Sequence, residues 1–238
     1  MKLKLLFLAF LVLSTSAIVE KSPVTIYMIG DSTMANRNLK NPKNKERGWG
    51  MMLGSFFPSD KVVVSNHAAS GRSTKSFINE KRWARVVALI KPGDYVFIQF
   101  GHNDEKKENP KLYTEPGGTF DDNLRKFVNE TRAKGGIPVL FNSIVRRKFC
   151  QDAAGQFTDS LLDTHGEYLL SPKRVAEELN VPFIDMNKMT HDLVCQMGPE
   201  KSKKLYMWAG KKDDTHLNIK GSRVFAGMAI DAVGKKIP

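Results

Sequence analysis

Short apolar runs rich in β-branched residues alternate along this chain with longer stretches of helical period. Val24 to Ile29, Val62 to Ser65, Tyr95 to Phe100, Ile137 to Asn142 and the short Pro182 to Ile184 predict five strands. Trp49 to Phe57, Lys81 to Ile90, Phe120 to Lys134 and Lys173 to Leu179 predict helices between them. A last helix is expected from Ile219 to Ala232, with Asn218 placed to cap it. Gly135-Gly136 and Pro92-Gly93 mark helix ends. This β-α-β-α-β order implies a parallel sheet with right-handed crossovers and helices on both faces, in a single three-layer α/β/α domain. Residues 105–119 break the pattern: they carry Pro110, Pro116, Gly117 and Gly118 and little periodicity, directly after the third strand. A loop of that kind is often functional or mobile.

The first residues do not belong to that pattern. Lys2 and Lys4 precede the apolar run Leu5 to Leu13, too short to span a bilayer, and small residues follow to Ala17. We expect residues 1–17 to be an export signal cleaved after Ala17, leaving residues 18–238 as the mature folded domain, secreted or periplasmic and without stable membrane association. The formal charge of +12 would fall only to +10 with the loss of the two leader lysines. The cations are scattered and accompany no nucleic-acid-reading motif, so no nucleic acid is expected as partner; the charge favours a polyanion near the surface without saying which, and each basic run reads first as a solvated face. Export permits a disulfide between Cys150 and Cys195, although a chain of this size does not require one.

In a parallel α/β sheet, reactive groups gather beyond the carboxyl ends of the strands. Gly30-Asp31-Ser32-Thr33 ends the first strand, Asn66 to Gly71 follows the second, and Gly101-His102-Asn103-Asp104 ends the third. Asp213-Asp214-Thr215-His216 precedes the last helix. Ser32 offers a nucleophilic hydroxyl and His216 a base for its proton. Asp213, three residues earlier, is spaced to orient that base, and is preferred to Asp214. The backbone N–H groups of Ser32 and Gly71 and the side-chain amide of Asn103 are candidate oxyanion donors.

These four blocks, Gly30-Asp31-Ser32, Gly71, Gly101-x-Asn103-Asp104 and Asp213-x-x-His216, resemble the ordered blocks of SGNH (GDSL-like) hydrolases. The longer strings Gly30-Asp31-Ser32-Thr33-Met34 and Phe100-Gly101-His102-Asn103-Asp104 are similar to the rhamnogalacturonan acetylesterase branch, where Thr33 stands in place of the wider family's leucine. The resemblance implies a flavodoxin-like parallel five-stranded sheet, a covalent acetyl-enzyme on Ser32, no metal and no cofactor. It also implies an acetylated, galacturonate-rich pectin substrate. Separately, the chain is expected to act as a monomer. The same machinery acting on acetylated xylan or a lipid ester is the nearer rival; a noncatalytic polysaccharide-binding module is the rival of another class.

Other polar features are expected to be structural. Asp31 should hold the serine turn, with His102 and Asp104 supporting their block. His67, His165 and His191 have no metal-ligand spacing. Asp121-Asp122 on a helix, and Arg146-Arg147-Lys148 after the fourth strand, read as solvated faces. No Gly-x-Ser-x-Gly elbow surrounds Ser32.

Overall fold

The computed structural model describes residues 23–234, so the expected leader lies outside the described residues. Five strands form one parallel sheet: β1 (Val24–Gly30), β2 (Val62–Asn66), β3 (Tyr95–Gln99), β4 (Ile137–Phe141) and β7 (Phe183–Ile184). Their order, β2-β1-β3-β4-β7, is flavodoxin-like, with its switch point between β1 and β3. Because side chains alternate along a strand, the sheet supplies two cores. Ile26, Met28, Phe97, Val139 and Phe141 enter one, with Trp49, Leu53, Val194 and Phe225. Tyr27, Ile29, Val96, Ile98 and Leu140 enter the other, with Phe77, Trp83, Phe127 and Val175.

Helices cover both faces as expected. α1 (Thr74–Asn79), α2 (Arg82–Val87), α3 (Thr119–Ala133) and α4 (Leu170–Leu179) feed the second core. α5 (Met186–Ser202) and α7 (Ile219–Gly234) feed the first. Asn218 caps α7, its Oδ1 accepting the Gly221 N–H at 3.0 Å. The stretch Trp49–Phe56 winds as a 3-10 helix, not an α-helix, and its internal Gly50 and Gly54 lower α-propensity.

The periodicity of the sequence did not anticipate five elements. These are α1, α5, the four-residue α6 (Trp208–Lys211), and an antiparallel hairpin of β5 (Phe149–Gln151) and β6 (Phe157–Leu161). α5 is masked by a break at Gly198, whose φ of 69° and ψ of 174° are not helical, followed by Pro199. The hairpin is largely exposed, so no buried alternation marks it. Cys150 and Cys195 are both unbonded.

What matters for the site is register. Gly30 pairs with Gln99 at the ends of β1 and β3, so both strands stop at the same level. The segments that follow them emerge side by side at the carboxyl edge.

Candidate active site

The turn after β1 is built around Asp31, which is fully buried. Its Oδ1 accepts the Thr33 N–H at 2.9 Å and the Thr33 hydroxyl at 2.8 Å; its Oδ2 accepts from His102 Nδ1 at 3.2 Å. Burial opposes ionisation, but the His102 and Thr33 contacts outweigh it and hold the carboxyl down at about 2. An ionised Asp31 can only accept, so the His102 proton sits on Nδ1. Protonating Nε2 as well would leave a buried N–H with no acceptor, since that atom has no hydrogen-bond partner. Burial accordingly lowers His102 to about 4, despite the nearby carboxylate. Thr33, in the place of the wider family's leucine, thus anchors the turn by hydrogen bonding.

Ser32, His216 and Asp213 lie in hydrogen-bond sequence. His216 Nε2 is 2.9 Å from Ser32 Oγ, and Nδ1 is 2.8 Å from Asp213 Oδ2. The other Asp213 oxygen accepts the backbone N–H groups of Thr215 at 2.8 Å and His216 at 2.9 Å, so the loop itself fixes the carboxylate. Burial opposes the charge on Asp213, but those two N–H groups and the imidazole pull its pKa below the usual carboxylate range. The carboxylate selects the Nδ1–H tautomer, which leaves the Nε2 lone pair to accept the Ser32 hydroxyl proton. Asp214 turns the other way, accepting from Arg147 Nε at 2.7 Å. That division explains why Asp213, rather than its neighbour, meets the imidazole.

Beside the serine lies a cluster of donors. Among the described residues, neither the Ser32 N–H nor the Gly71 N–H donates to another protein group. Gly71 has φ +75°, and a Cβ built there would meet nothing within 4 Å, so its backbone faces open space. Asn103 is 4% exposed; its Nδ2 donates one hydrogen to the Arg72 carbonyl at 3.1 Å, which leaves the second for another acceptor. Sequence reasoning missed Arg37. Its guanidinium donates to the Ser32 carbonyl at 2.6 Å and to Ser70 Oγ, and its Nε to Glu46 at 2.8 Å. One planar fork therefore ties the serine turn to the Gly71 turn. Gln99 was missed as well: its Oε1 accepts from Trp49 Nε1 at 2.8 Å, and its amide donates to the Asn142 carbonyl at 2.9 Å. A lone glutamine closing an apolar strand was the signal for it.

Support extends behind the site. Asp104 accepts the Thr74 N–H at 2.9 Å and the Thr114 hydroxyl at 2.8 Å, which pins the segment 105–119. Burial pushes its pKa up to about 7 against those hydrogen bonds. Tyr168 adds an O–H bond to the Thr114 carbonyl at 2.6 Å. Two expected solvated faces require correction. Asp121 is fully buried and accepts from Arg174 at 2.8 Å, joining α3 to α4, while Asp122 is exposed. Arg147 is 2% exposed and lies 4.4 Å from the centre of the Trp208 ring, and Arg146 pairs with Glu105; only Lys148 is solvated. Helical and loop position alone did not reveal these partners, because they come from distant segments. His165, with Nδ1 at 2.8 Å from Glu105, is buried edge-on to His102. No group of three or more His, Cys, Asp or Glu side chains among the described residues is arranged to hold a metal ion.

A flavodoxin-like sheet bearing hydroxyl, imidazole and carboxylate in sequence at its carboxyl edge, beside unpaired N–H donors, has the layout of an α/β ester hydrolase. Comparison with known proteins agrees. Residues 28–224 match the GDSL-like lipase/acylhydrolase family, and the chain belongs to it, as a carboxylic ester hydrolase. It is 36% identical to a rhamnogalacturonan acetylesterase of Bacillus subtilis (strain 168), over 90% of each chain. A rhamnogalacturonan acetylesterase of Emericella nidulans is 27% identical, over 88% of this chain and 84% of that one. Among solved structures, protein YxiM of Bacillus subtilis superposes with a TM-score of 0.78 at 27% identity, over 90% of this chain and 57% of that one. An acetylxylan esterase of Geobacillus stearothermophilus shares the fold, with a TM-score of 0.62 at 22% identity over 90% and 95% of the two chains.

Proposed function

We propose that this enzyme removes acetyl groups from an acetylated, anionic plant polysaccharide of the rhamnogalacturonan type, through an acetyl-enzyme on Ser32. The observation that carries the reading is the unbroken run Asp213–His216–Ser32, at 2.8 and 2.9 Å, beside two N–H groups with no protein acceptor. Ser32 Oγ attacks the acetyl carbonyl carbon while His216 Nε2 takes its proton; the carbonyl π electrons move onto oxygen. The Ser32 and Gly71 N–H groups and the free Asn103 hydrogen bind that oxyanion. Collapse breaks the bond to the sugar oxygen, which leaves with the proton from His216. Water then attacks the acetyl-enzyme by the same steps, releasing acetate and restoring the Ser32 hydroxyl.

The preference for an acetylated rhamnogalacturonan is supported by the 36% identical relative and by the chain's charge of +12. Export is supported by the basic and apolar pattern of residues 2–17. N-terminal sequencing of the secreted protein should begin at Ile18. The decisive experiment measures acetate released from acetylated pectin, acetylated xylan and a long-chain ester. Wild type should prefer pectin, and Ser32→Ala should lose at least about 10⁴-fold in kcat while melting like wild type. Equal activity in the Ser32 variant would sink the proposal.

A further inference from the structure

Of the three proposed oxyanion donors, two are backbone N–H groups and Asn103 alone is a side chain. Its terminal torsion is soft, so an amide left to itself rotates and presents either end. One end donates and the other only accepts. A flip would set the Asn103 oxygen against the oxyanion and turn a donor into a repulsion. The cradle therefore needs a neighbour that tells the two ends apart.

The segment after β3 supplies one. The Glu105 N–H donates to the Gly101 carbonyl at 3.1 Å and the Lys106 N–H to the Asn103 carbonyl at 3.4 Å, so the chain turns back and lays Lys106 beside Asn103. Lys106 Nζ donates to Asn103 Oδ1 at 2.8 Å. Asp104, between them, is buried and held by Thr74 and Thr114, which keeps that turn in place. The neighbouring carboxylate does not compete: Glu105 is engaged by Arg146 and by His165 Nδ1. Among the described residues no carboxylate pairs with Lys106, and Asn103 Oδ1 is the one protein acceptor of its ammonium.

The amide is thus held at both ends by groups of opposite kind. An ammonium only donates and a carbonyl only accepts, so Oδ1 faces Lys106 and Nδ2 faces the Arg72 carbonyl at 3.1 Å. Exchanging the ends would bring the amide hydrogens against a cation and oxygen against oxygen. A cation on the amide oxygen also draws electrons from the nitrogen, which makes the remaining N–H a stronger donor.

We propose that Lys106 is a positioning residue for ester hydrolysis: its ammonium fixes the Asn103 amide with Nδ2 toward the oxyanion and strengthens that donor. The role rests on Asn103 being an oxyanion donor of the acetyl-enzyme reaction. Because the Arg72 carbonyl still favours the same orientation, removing Lys106 weakens the cradle without abolishing it.

The test is a double-mutant cycle on p-nitrophenyl acetate, a neutral ester with no carboxylate for a lysine to bind. Lys106→Met keeps the reach of the side chain and removes the charge. It should lower kcat about tenfold, less than Asn103→Ala does, leave KM within about twofold and melt like wild type. Lys106→Arg, which can still donate to Oδ1, should recover most of the lost rate. In the Asn103→Ala background, Lys106→Met should cost nothing further, because no amide is left to orient. The proposal is overturned by an unchanged kcat in Lys106→Met, by an arginine variant no better than the methionine one, or by equal loss in both backgrounds, the mark of a general folding defect. A loss confined to KM on acetylated pectin oligosaccharides would overturn it too, and would make Lys106 a contact for the substrate's carboxylates. An unchanged kcat in Asn103→Ala would remove the cradle reading itself, and the role of Lys106 with it.

Discussion

Arg37 holds together two turns that approach the site from different strands. Its fork bonds the Ser32 carbonyl on one side and Ser70, next to Gly71, on the other. A lysine keeps the charge but cannot make both bonds in one plane. Arg37→Lys should therefore lower kcat about tenfold with little change in KM, the signature of a disturbed oxyanion cradle; steady-state kinetics on p-nitrophenyl acetate would show it. Asn103 works more directly in the proposed chemistry. Asn103→Ala should cost about 10²–10³ in kcat, because one of three donors is removed where negative charge develops. An unchanged kcat in that variant would remove Asn103 from the cradle.

At the scale of elements, the loop carrying Asp213 and His216 is held from behind by α6 and Arg147. The Arg147 guanidinium stacks on Trp208, donates to Asp214 and also donates to the Pro199 carbonyl at 2.7 Å. Lys203 and Lys212 each place an ammonium 5.0 Å from the same indole. Removing Arg147 leaves the half-buried Asp214 without its cation and uncovers the indole. Arg147→Ala should thus destabilise the fold by about 3 kcal/mol, measured by urea denaturation, and lower kcat as well because the His216 loop loosens. A fully active variant with unchanged stability would mean that the loop holds itself. The third strand's end imposes a different constraint. Gly101 has φ +143°, and a Cβ there would lie 2.4 Å from Ser143 Oγ, so the turn into Asn103 admits glycine and little else.

For the molecule as a whole, His102 makes stability depend on acid. In the unfolded chain its imidazole takes a proton near its ordinary value of 6.5; in the fold burial delays this to about 4. At this residue the unfolded state therefore binds more protons across that interval, and the His102 contribution to stability falls as pH drops from about 6.5 to about 4, while Asp104, pushed up to about 7 by burial, takes its proton first in the fold and works in the opposite direction over the same window. Asp31, held at about 2 against an ordinary 3.8, adds a further loss below that window. His102→Gln should raise Tm at pH 4 relative to its value at pH 6.5, compared with wild type, and should also shrink the loss near pH 3, because the imidazole that helps hold Asp31 down is gone. A curve of unchanged shape would show that His102 is not the group responsible. Charge acts at the same scale: with a net +12, the rate on an anionic glycan should fall with added salt while that on a neutral ester holds.

The alternation of apolar runs was enough to set the class of fold, because a strand buried on both faces must be apolar throughout and the helices between such strands leave a 3.6-residue stripe. Strand and helix positions followed for β1, β2, β3, β4, α3 and α7 within a residue or two. Ser32, Gly71, Asn103, Asp213 and His216 were singled out from the sequence because strand ends in a parallel sheet share one edge, and four short blocks fell at that edge. Which carboxylate faces the imidazole was settled by tertiary structure, since Arg147 comes from 67 residues away to engage Asp214. The same holds for Arg37 and for the buried Asp121–Arg174 pair. Local pattern records which side of a segment is apolar; the partner of a charge depends on how distant segments pack, and no period in the sequence encodes that.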